Sequence, residues 1–254
     1  MKKHCPWRLR QWRQQCSPRT RTAAPPLKIS SPCIGRSDFR FNVWLLLLLL
    51  GIAPQTHACD RAATLVTTSA APRQAAPQAR ASLESLAALS AQPVNVLFIG
   101  DSLVARWPVA VAAKFGVTGD RTQNVLWRLN QPETAKVRAR RVVLLVGTNN
   151  ISAGDAPCAI ALGILAAVER ISRLWPDAAI DVIGIPARGD KAQFEAARRE
   201  TNNILRAQIK DARYIDPDAV LTCAEQCASF EKDRVHLSPK GYEALDSLLA
   251  EVKR

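Results

Sequence analysis

Four short runs, at residues 94–99, 141–146, 181–185 and 214–216, are apolar or β-branched, and the stretches between them carry apolar residues at helical spacing. The first three runs are nearly continuous, the pattern of strands covered on both faces. Strands that alternate with helices and are covered on both sides form a parallel sheet, because each helix carries the chain back to start the next strand. Residues 115–118 are a candidate fifth strand. Helical spacing falls at 104–114, 123–129, 156–175, 192–211 and 239–252, with Pro157 and Pro239 placed for first turns and Asp155 and Ser238 as caps. The roughly 160 residues from Val94 to Arg254 are the size of one domain with one core. The expectation is a three-layer α/β/α, doubly wound fold.

What precedes this domain accounts for most of the charge. Residues 1–40 hold ten Lys or Arg against one acid, Asp38, so of the net +13 only +4 belongs to residues 59–254. Binding a duplex needs a basic stripe on the folded domain, so a nucleic-acid partner is not expected. Next come Val43, Trp44, six leucines and Gly51-Ile52-Ala53, followed by Thr56-His57-Ala58-Cys59. A basic flank, a short apolar core and a small-residue exit have the form of a secretory signal, with cleavage expected after Ala58. The apolar stretch 43–53 has 11 residues against the roughly 20 that span a bilayer, so cleavage outranks a permanent anchor. A lipid-attachment reading of Cys59 is poor, since Thr56 stands where an aliphatic residue is preferred and His57 where a small one is. The expected location is periplasmic or secreted, with membrane contact through 43–53 either transient or, if that segment stays, anchoring.

Export leaves Cys59, Cys158, Cys223 and Cys227, an even number that permits disulfides. The spacing of Cys223 and Cys227 suits a small loop staple or a helical i, i+4 pair, and no histidine stands near enough in sequence to make them a metal site. Residues 60–80, rich in Ala, Pro, Thr and Gln without an apolar period, read as a flexible tether. Residues 81–90 read as a short helix at the entrance of the domain.

The first apolar run closes on Ile99-Gly100-Asp101-Ser102, which puts a serine beyond the carboxyl end of a strand, where open α/β sheets bind ligands. A serine nucleophile needs an imidazole base and a group that orients it. Of three histidines, His4 and His57 lie in the leader, leaving His236 in Asp233-Arg234-Val235-His236-Leu237-Ser238-Pro239. Asp233 is placed to accept a hydrogen bond from the ring and fix its tautomer. Acyl transfer also needs donors aimed at the developing oxyanion. Gly116-Val117-Thr118-Gly119-Asp120 and Val146-Gly147-Thr148-Asn149-Asn150 both leave strands on the carboxyl side. Each of these segments also reads as ordinary turn chemistry, and Gly-Asp-Ser also reads as a helix cap.

Taken in order, Gly100-Asp101-Ser102, Gly119, Gly147-Thr148-Asn149 and Asp233-Arg234-Val235-His236 resemble the motif blocks of the SGNH hydrolases, also called GDSL esterases or lipases, over nearly all of 94–252. Residues 119–129, with Gly147-Thr148-Asn149-Asn150, are similar more narrowly to the catalytic subunits of platelet-activating factor acetylhydrolase type I and their bacterial relatives. The resemblance implies a flavodoxin-like sheet of five parallel strands and a serine esterase that uses no metal or cofactor. It makes Ser102 the nucleophile, His236 the base and Asp233 the group that orients it. The Ser102 N–H, the Gly119 N–H and the Asn149 side chain become the oxyanion hole. Asn150 stands where many members carry aspartate, which this branch tolerates. Asp101, Trp107, Asn150 and Arg188, together with Trp127 and Arg128, are candidates to line a substrate pocket. The expected substrate is a carboxylic ester, short-acyl and above all acetyl, of a glycan or a lipid-like alcohol. The rivals are a lysophospholipase or thioesterase with an apolar groove near Trp107, and a tethered binding module without turnover.

Overall fold

Successive side chains of the strands face alternately into two apolar layers, as the period of two requires. The structure is a computed structural model that describes residues 59–73, 76–89, 93–108, 113–223 and 227–251, so the expected signal at 43–53 lies outside the described residues. In chain order it contains α1 (Arg61–Thr68), α2 (Ala76–Leu89), β1 (Leu97–Gly100), α3 (Ser102–Ala105), β2 (Ala113–Gly116), α4 (Thr122–Leu129) and α5 (Pro132–Lys136). There follow β3 (Arg141–Leu145), α6 (Thr148–Ser152), α7 (Pro157–Leu174), β4 (Ala179–Ile183), α8 (Ala192–Gln208), β5 (Arg213–Ile215) and α9 (Pro239–Glu251). The sheet order is β2-β1-β3-β4-β5 and every neighbouring pair is parallel. This is the flavodoxin-like arrangement, whose order reverses between β1 and β3, so the crevice opens beyond their carboxyl ends.

On one face Leu97, Ile99, Val142, Leu144 and Val182 pack against α4, α7 and α8 through Leu126, Ile160, Ile164 and Leu205. On the other Phe98, Val143, Leu145 and Ile183 pack against α3 and α9 through Leu103, Val104, Tyr242 and Leu245. Gly100 is where these layers leave no room. A β-carbon there would stand 1.9 Å from the Leu145 carbonyl oxygen, so glycine lets β1 end hard against β3.

Several expectations shift. The helix expected over 104–114 ends at Ala105, and Lys114 belongs to β2, which occupies 113–116 rather than 115–118. Pro108 follows at once; it lacks an N–H and biases Trp107 away from helical backbone. Asp155 does not cap α7, whose N-cap is Ala156; its carboxylate accepts from Asn150 Nδ2 at 2.8 Å instead. Ser238 does cap α9, accepting from the Gly241 N–H at 3.3 Å. The helix expected over 81–90 begins at Ala76.

The larger correction concerns the tether expected over 60–80: residues 60–73 are docked on the domain and Ala76 onward is helix. Asp60 caps α1 by accepting from the Ala62 and Ala63 amides, and Cys59 is disulfide-bonded to Cys158. Thr67 is buried against α7, donating to the Ala159 carbonyl at 2.6 Å, while Thr122 Oγ1 donates to the Thr67 carbonyl at 2.9 Å. The segment docks through polar atoms rather than an apolar stripe, so hydrophobic periodicity does not reveal it.

One buried cation joins the ends of the first strands. Arg128, on α4, is 1% exposed and donates to the carbonyls of Gly100 at 2.8 Å and Phe115 at 2.7 Å, with its Nε on Asp120 Oδ2 at 2.8 Å. Burial pushes the Asp120 carboxyl up and the Arg128 guanidinium down, against their mutual attraction. Removing one partner of such a pair strands the other charge and costs about 3–5 kcal/mol, whereas replacing both by apolar groups costs much less. Arg128→Met is expected to lose stability in that range in urea unfolding, and Asp120→Leu added to it to restore much of the loss. A single variant that unfolds at the parent's midpoint would contradict this role.

Candidate active site

Ser102 is the first residue of α3, and the turn before it is held by Asp101, whose carboxylate accepts from the Leu103 N–H at 2.9 Å. Its hydroxyl lies 2.9 Å from His236 Nε2, and His236 Nδ1 lies 2.6 Å from Asp233 Oδ2. Asp233 Oδ1 accepts from the Val235 and His236 amides at 3.0 and 2.9 Å, which folds the loop into an Asx-type turn around the carboxylate. Arg234, inside that turn, takes the left-handed backbone at φ 56°, and its carbonyl accepts from the Gly189 N–H at 3.1 Å. Partial burial pushes the Asp233 carboxyl up, but the His236 ring and the two amides outweigh it and hold it at about 2. An ionised carboxylate can only accept, so the ring proton sits on Nδ1, and Nε2 is left to accept from the serine hydroxyl.

The loop reaches the serine because it is tied at both ends. Leu237 is buried in the core, Phe230 and Leu237 form an antiparallel bridge, and Ser238 Oγ donates to the Ala228 carbonyl at 2.8 Å. Just upstream Cys223 and Cys227 are disulfide-bonded, as their spacing permits.

Gly119 follows β2 at φ 80°, a backbone that glycine adopts without strain. Among the described residues neither the Gly119 N–H nor the Ser102 N–H has a hydrogen-bond acceptor, so both donors are unspent at the crevice. Asn149, from α6, donates through Nδ2 to the Asp120 carbonyl at 2.9 Å and lies 3.4 Å from Asp101 Oδ2. These contacts bring the carboxyl ends of β1, β2 and β3 together around Ser102.

The residues expected to line a pocket do other work. Trp107 is fully buried, packed between the tilted rings of Phe98 and Tyr242, with Nε1 donating to Asp246 at 3.0 Å. Asn150 is also fully buried: its Oδ1 accepts from the Thr122 N–H at 3.0 Å, and its Nδ2 serves Asp155. Arg188 is held by Asp190, the Thr148 carbonyl and Ser152, and lies over the Phe194 ring. Asp101 is buried beneath the serine turn and Arg128 within the sheet ends, while Trp127 is half-buried on α4. Polarity near a strand end suggested access to substrate; here it satisfies buried backbone. The cavity that does border the site, of about 530 Å³, is lined by Gly119 with Arg73, Arg121, Gln123 and Asn124. Arg73 and Arg121 are residues that motif reasoning missed.

A family described as GDSL-like lipase/acylhydrolase matches residues 85–244. The platelet-activating factor acetylhydrolase IB subunit alpha1 of Rattus norvegicus is 35% identical over 175 residues, which cover 61% of this chain and 75% of that protein. Subunit alpha2 from Homo sapiens is 29% identical over 179 residues, covering 62% and 75%. Among solved structures, a GDSL-like lipase from Bacteroides thetaiotaomicron aligns with a TM-score of 0.55 at 18% identity, covering 68% of this chain and 95% of that one. A member of the lipolytic G-D-S-L family from Veillonella parvula gives 0.52 at 18%, covering 63% and 97%. At these identities the structural likeness shows a shared fold.

Burial pushes the Asp101 carboxyl up, and with Asp120 nearby it outweighs the Leu103 N–H and Arg128, raising it from 3.8 to about 7. Between those values the folded protein keeps a proton that the unfolded chain has released, so this group's contribution to stability falls as pH rises from about 4 to about 7. Asp233, held down at about 2, contributes stability that is lost only as pH falls below about 4, outside that window. Asn at 101 keeps an acceptor for Leu103 and has no proton to lose. Urea unfolding at acid and neutral pH should therefore show a smaller loss for Asp101→Asn than for the parent; equal losses would contradict burial as the cause.

Proposed function

Because the chain belongs to the GDSL-like lipase/acylhydrolase family, we propose that it is an exported serine esterase whose nucleophile is Ser102 and whose preferred substrates are short-acyl, above all acetyl, esters of glycans or similar small alcohols. The observation that carries the reading is the unbroken chain from Ser102 Oγ through His236 to Asp233, at 2.9 and 2.6 Å. Ser102 Oγ attacks the ester carbonyl carbon while Nε2 takes its proton, and the imidazolium is stabilised by the ionised Asp233. The oxyanion is met by the unspent Ser102 and Gly119 amides and by Asn149 Nδ2. His236 then returns its proton to the departing alcohol. A water, deprotonated by the same nitrogen, attacks the acyl-enzyme; His236 returns that proton to Ser102 Oγ as the ester bond breaks, and the carboxylic acid leaves and ionises in solvent.

Export is supported by the basic flank, the short apolar core and the small-residue exit before Cys59, together with the disulfides of Cys59 with Cys158 and Cys223 with Cys227. The long-acyl alternative expected a groove at Trp107, which is instead enclosed in the core. A short acyl group is the reading that needs no such groove.

With p-nitrophenyl acetate as substrate, Ser102→Ala is expected to abolish turnover, and Asn149→Ala to lower kcat on the order of 100-fold or more. Extending the acyl chain from acetate towards palmitate should lower kcat/KM. Undiminished release of p-nitrophenol by the Ser102→Ala protein would sink the nucleophile assignment, and a rise with chain length would sink the acetyl preference.

A further inference from the structure

We infer that the cavity beside Gly119 is an anion subsite, which selects esters whose alcohol carries a carboxylate or phosphate next to the scissile bond. The inference rests on the esterase reading above and adds the substrate's charge. Residues 59–73 are fastened along α7 and α4 by the Cys59–Cys158 disulfide, by Thr67, and by two bonds between Ala71 and α4: Ala71 N–H to the Gln123 carbonyl and Asn124 Nδ2 to the Ala71 carbonyl, each 3.0 Å. The end of that arm is Arg73. Its guanidinium donates to the Thr118 carbonyl, and both terminal nitrogens stand 2.7 Å from where a β-carbon on residue 119 would be. A cation is thus laid against the glycine whose unspent N–H is the proposed oxyanion donor.

Arg121 is the second cation of the cavity. It is 38% exposed in its side chain and only 3.8 Å from Asp155 Oδ2, an oxygen already taken at 2.8 Å by Asn150. No acid lines this cavity among the described residues. The contrast is the larger cavity along α8, of about 650 Å³, also rich in arginine. There Arg188 is closed by Asp190 at 2.7 Å, and Arg198 by Glu195 at 2.6 Å and Asp218 at 2.9 Å, so its charge is compensated. Two under-paired guanidiniums around a recess are suited to a planar or tetrahedral oxyanion, which they bind through forked donors. An acetyl group is too small to reach beyond Gly119, so the anion must sit on the alcohol side of the ester.

The test compares acetyl esters that differ in charge: 3-acetoxybenzoate and 3-acetoxyphenyl phosphate against the neutral methyl 3-acetoxybenzoate, with the full chain, Arg73→Gln, Arg121→Gln and the double variant. In the double variant the ratio of kcat/KM for an anionic ester to that for the neutral one should fall roughly tenfold or more, through KM. Arg73→Lys, which keeps the charge, should retain most of the preference. A fall for either anion supports the subsite, and the larger fall names its group. In the parent, added salt should lower kcat/KM for the anionic esters more than for the neutral one, a readout that needs no variant. Equal losses on all three esters, or a ratio unmoved by substitution and by salt, would overturn the subsite while leaving the esterase reading intact. Hydrolysis of all three that survives Ser102→Ala would remove the esterase reading itself, and the subsite with it.

Discussion

The guanidinium of Arg128 lies where the first two strands of the sheet end, and the geometry of the site depends on it. A carbonyl oxygen has two lone pairs, and that of Gly100 accepts from the Val117 N–H at 3.1 Å as well as from Arg128. Arg128 donates to Gly100 and Phe115 at once, from a helix that begins six residues earlier. Its charge then requires a buried acid, and Asp120 provides it at 2.8 Å. The consequence is positional: with its last residue pinned, the loop 117–120 can hold Gly119 at positive φ beside the serine turn. The Asp120 carbonyl passes the constraint on to β3 by accepting from Asn149. Taken alone a buried ion pair is weak grounds for stability, because desolvation offsets most of the attraction. What this one contributes is register among three strand ends.

The remaining half of the site arrives from outside the sheet. His236 and Asp233 sit on a loop without regular structure, yet few of its degrees of freedom are left. The carboxylate is wrapped by two amides, Leu237 is sunk in the core, and Cys227 upstream is tied to Cys223. The rigid sheet thus carries Ser102 and the two unspent amides, while a stapled loop carries His236. Such a division lets the loop vary without disturbing the strands.

Legibility in the sequence followed from the kind of physics involved. Continuous apolar runs reported the central strands and their parallel arrangement, because burial on both faces leaves a compositional mark. Ser102 and His236 are legible because residues 59–254 hold one histidine and so offer one imidazole, with Asp233 three residues before it, and motif order points to Gly119 and Asn149. What failed was polar residues used inside. Trp107, Asn150 and Arg128 are polar or aromatic residues near strand ends that the fold spends on carbonyls, amides and packing, whereas Arg188 does line a cavity, along α8. The arm at 59–73 failed for the same reason: it is fastened by threonine hydroxyls, main-chain bonds and a disulfide, none of which has a period. A three-dimensional pairing such as Arg128 with Gly100, 28 residues apart, has no local signature.

The central claim is that Ser102 is an activated nucleophile, primed by His236, and the most direct measurement is peptide mass mapping after treatment with a fluorophosphonate. Attack by an activated serine displaces fluoride and leaves a covalent phosphonyl group on its oxygen. One adduct is expected, on Ser102, in the parent protein and none in a folded His236→Ala variant. An adduct on another serine, or a folded parent protein that stays unmodified, would contradict it.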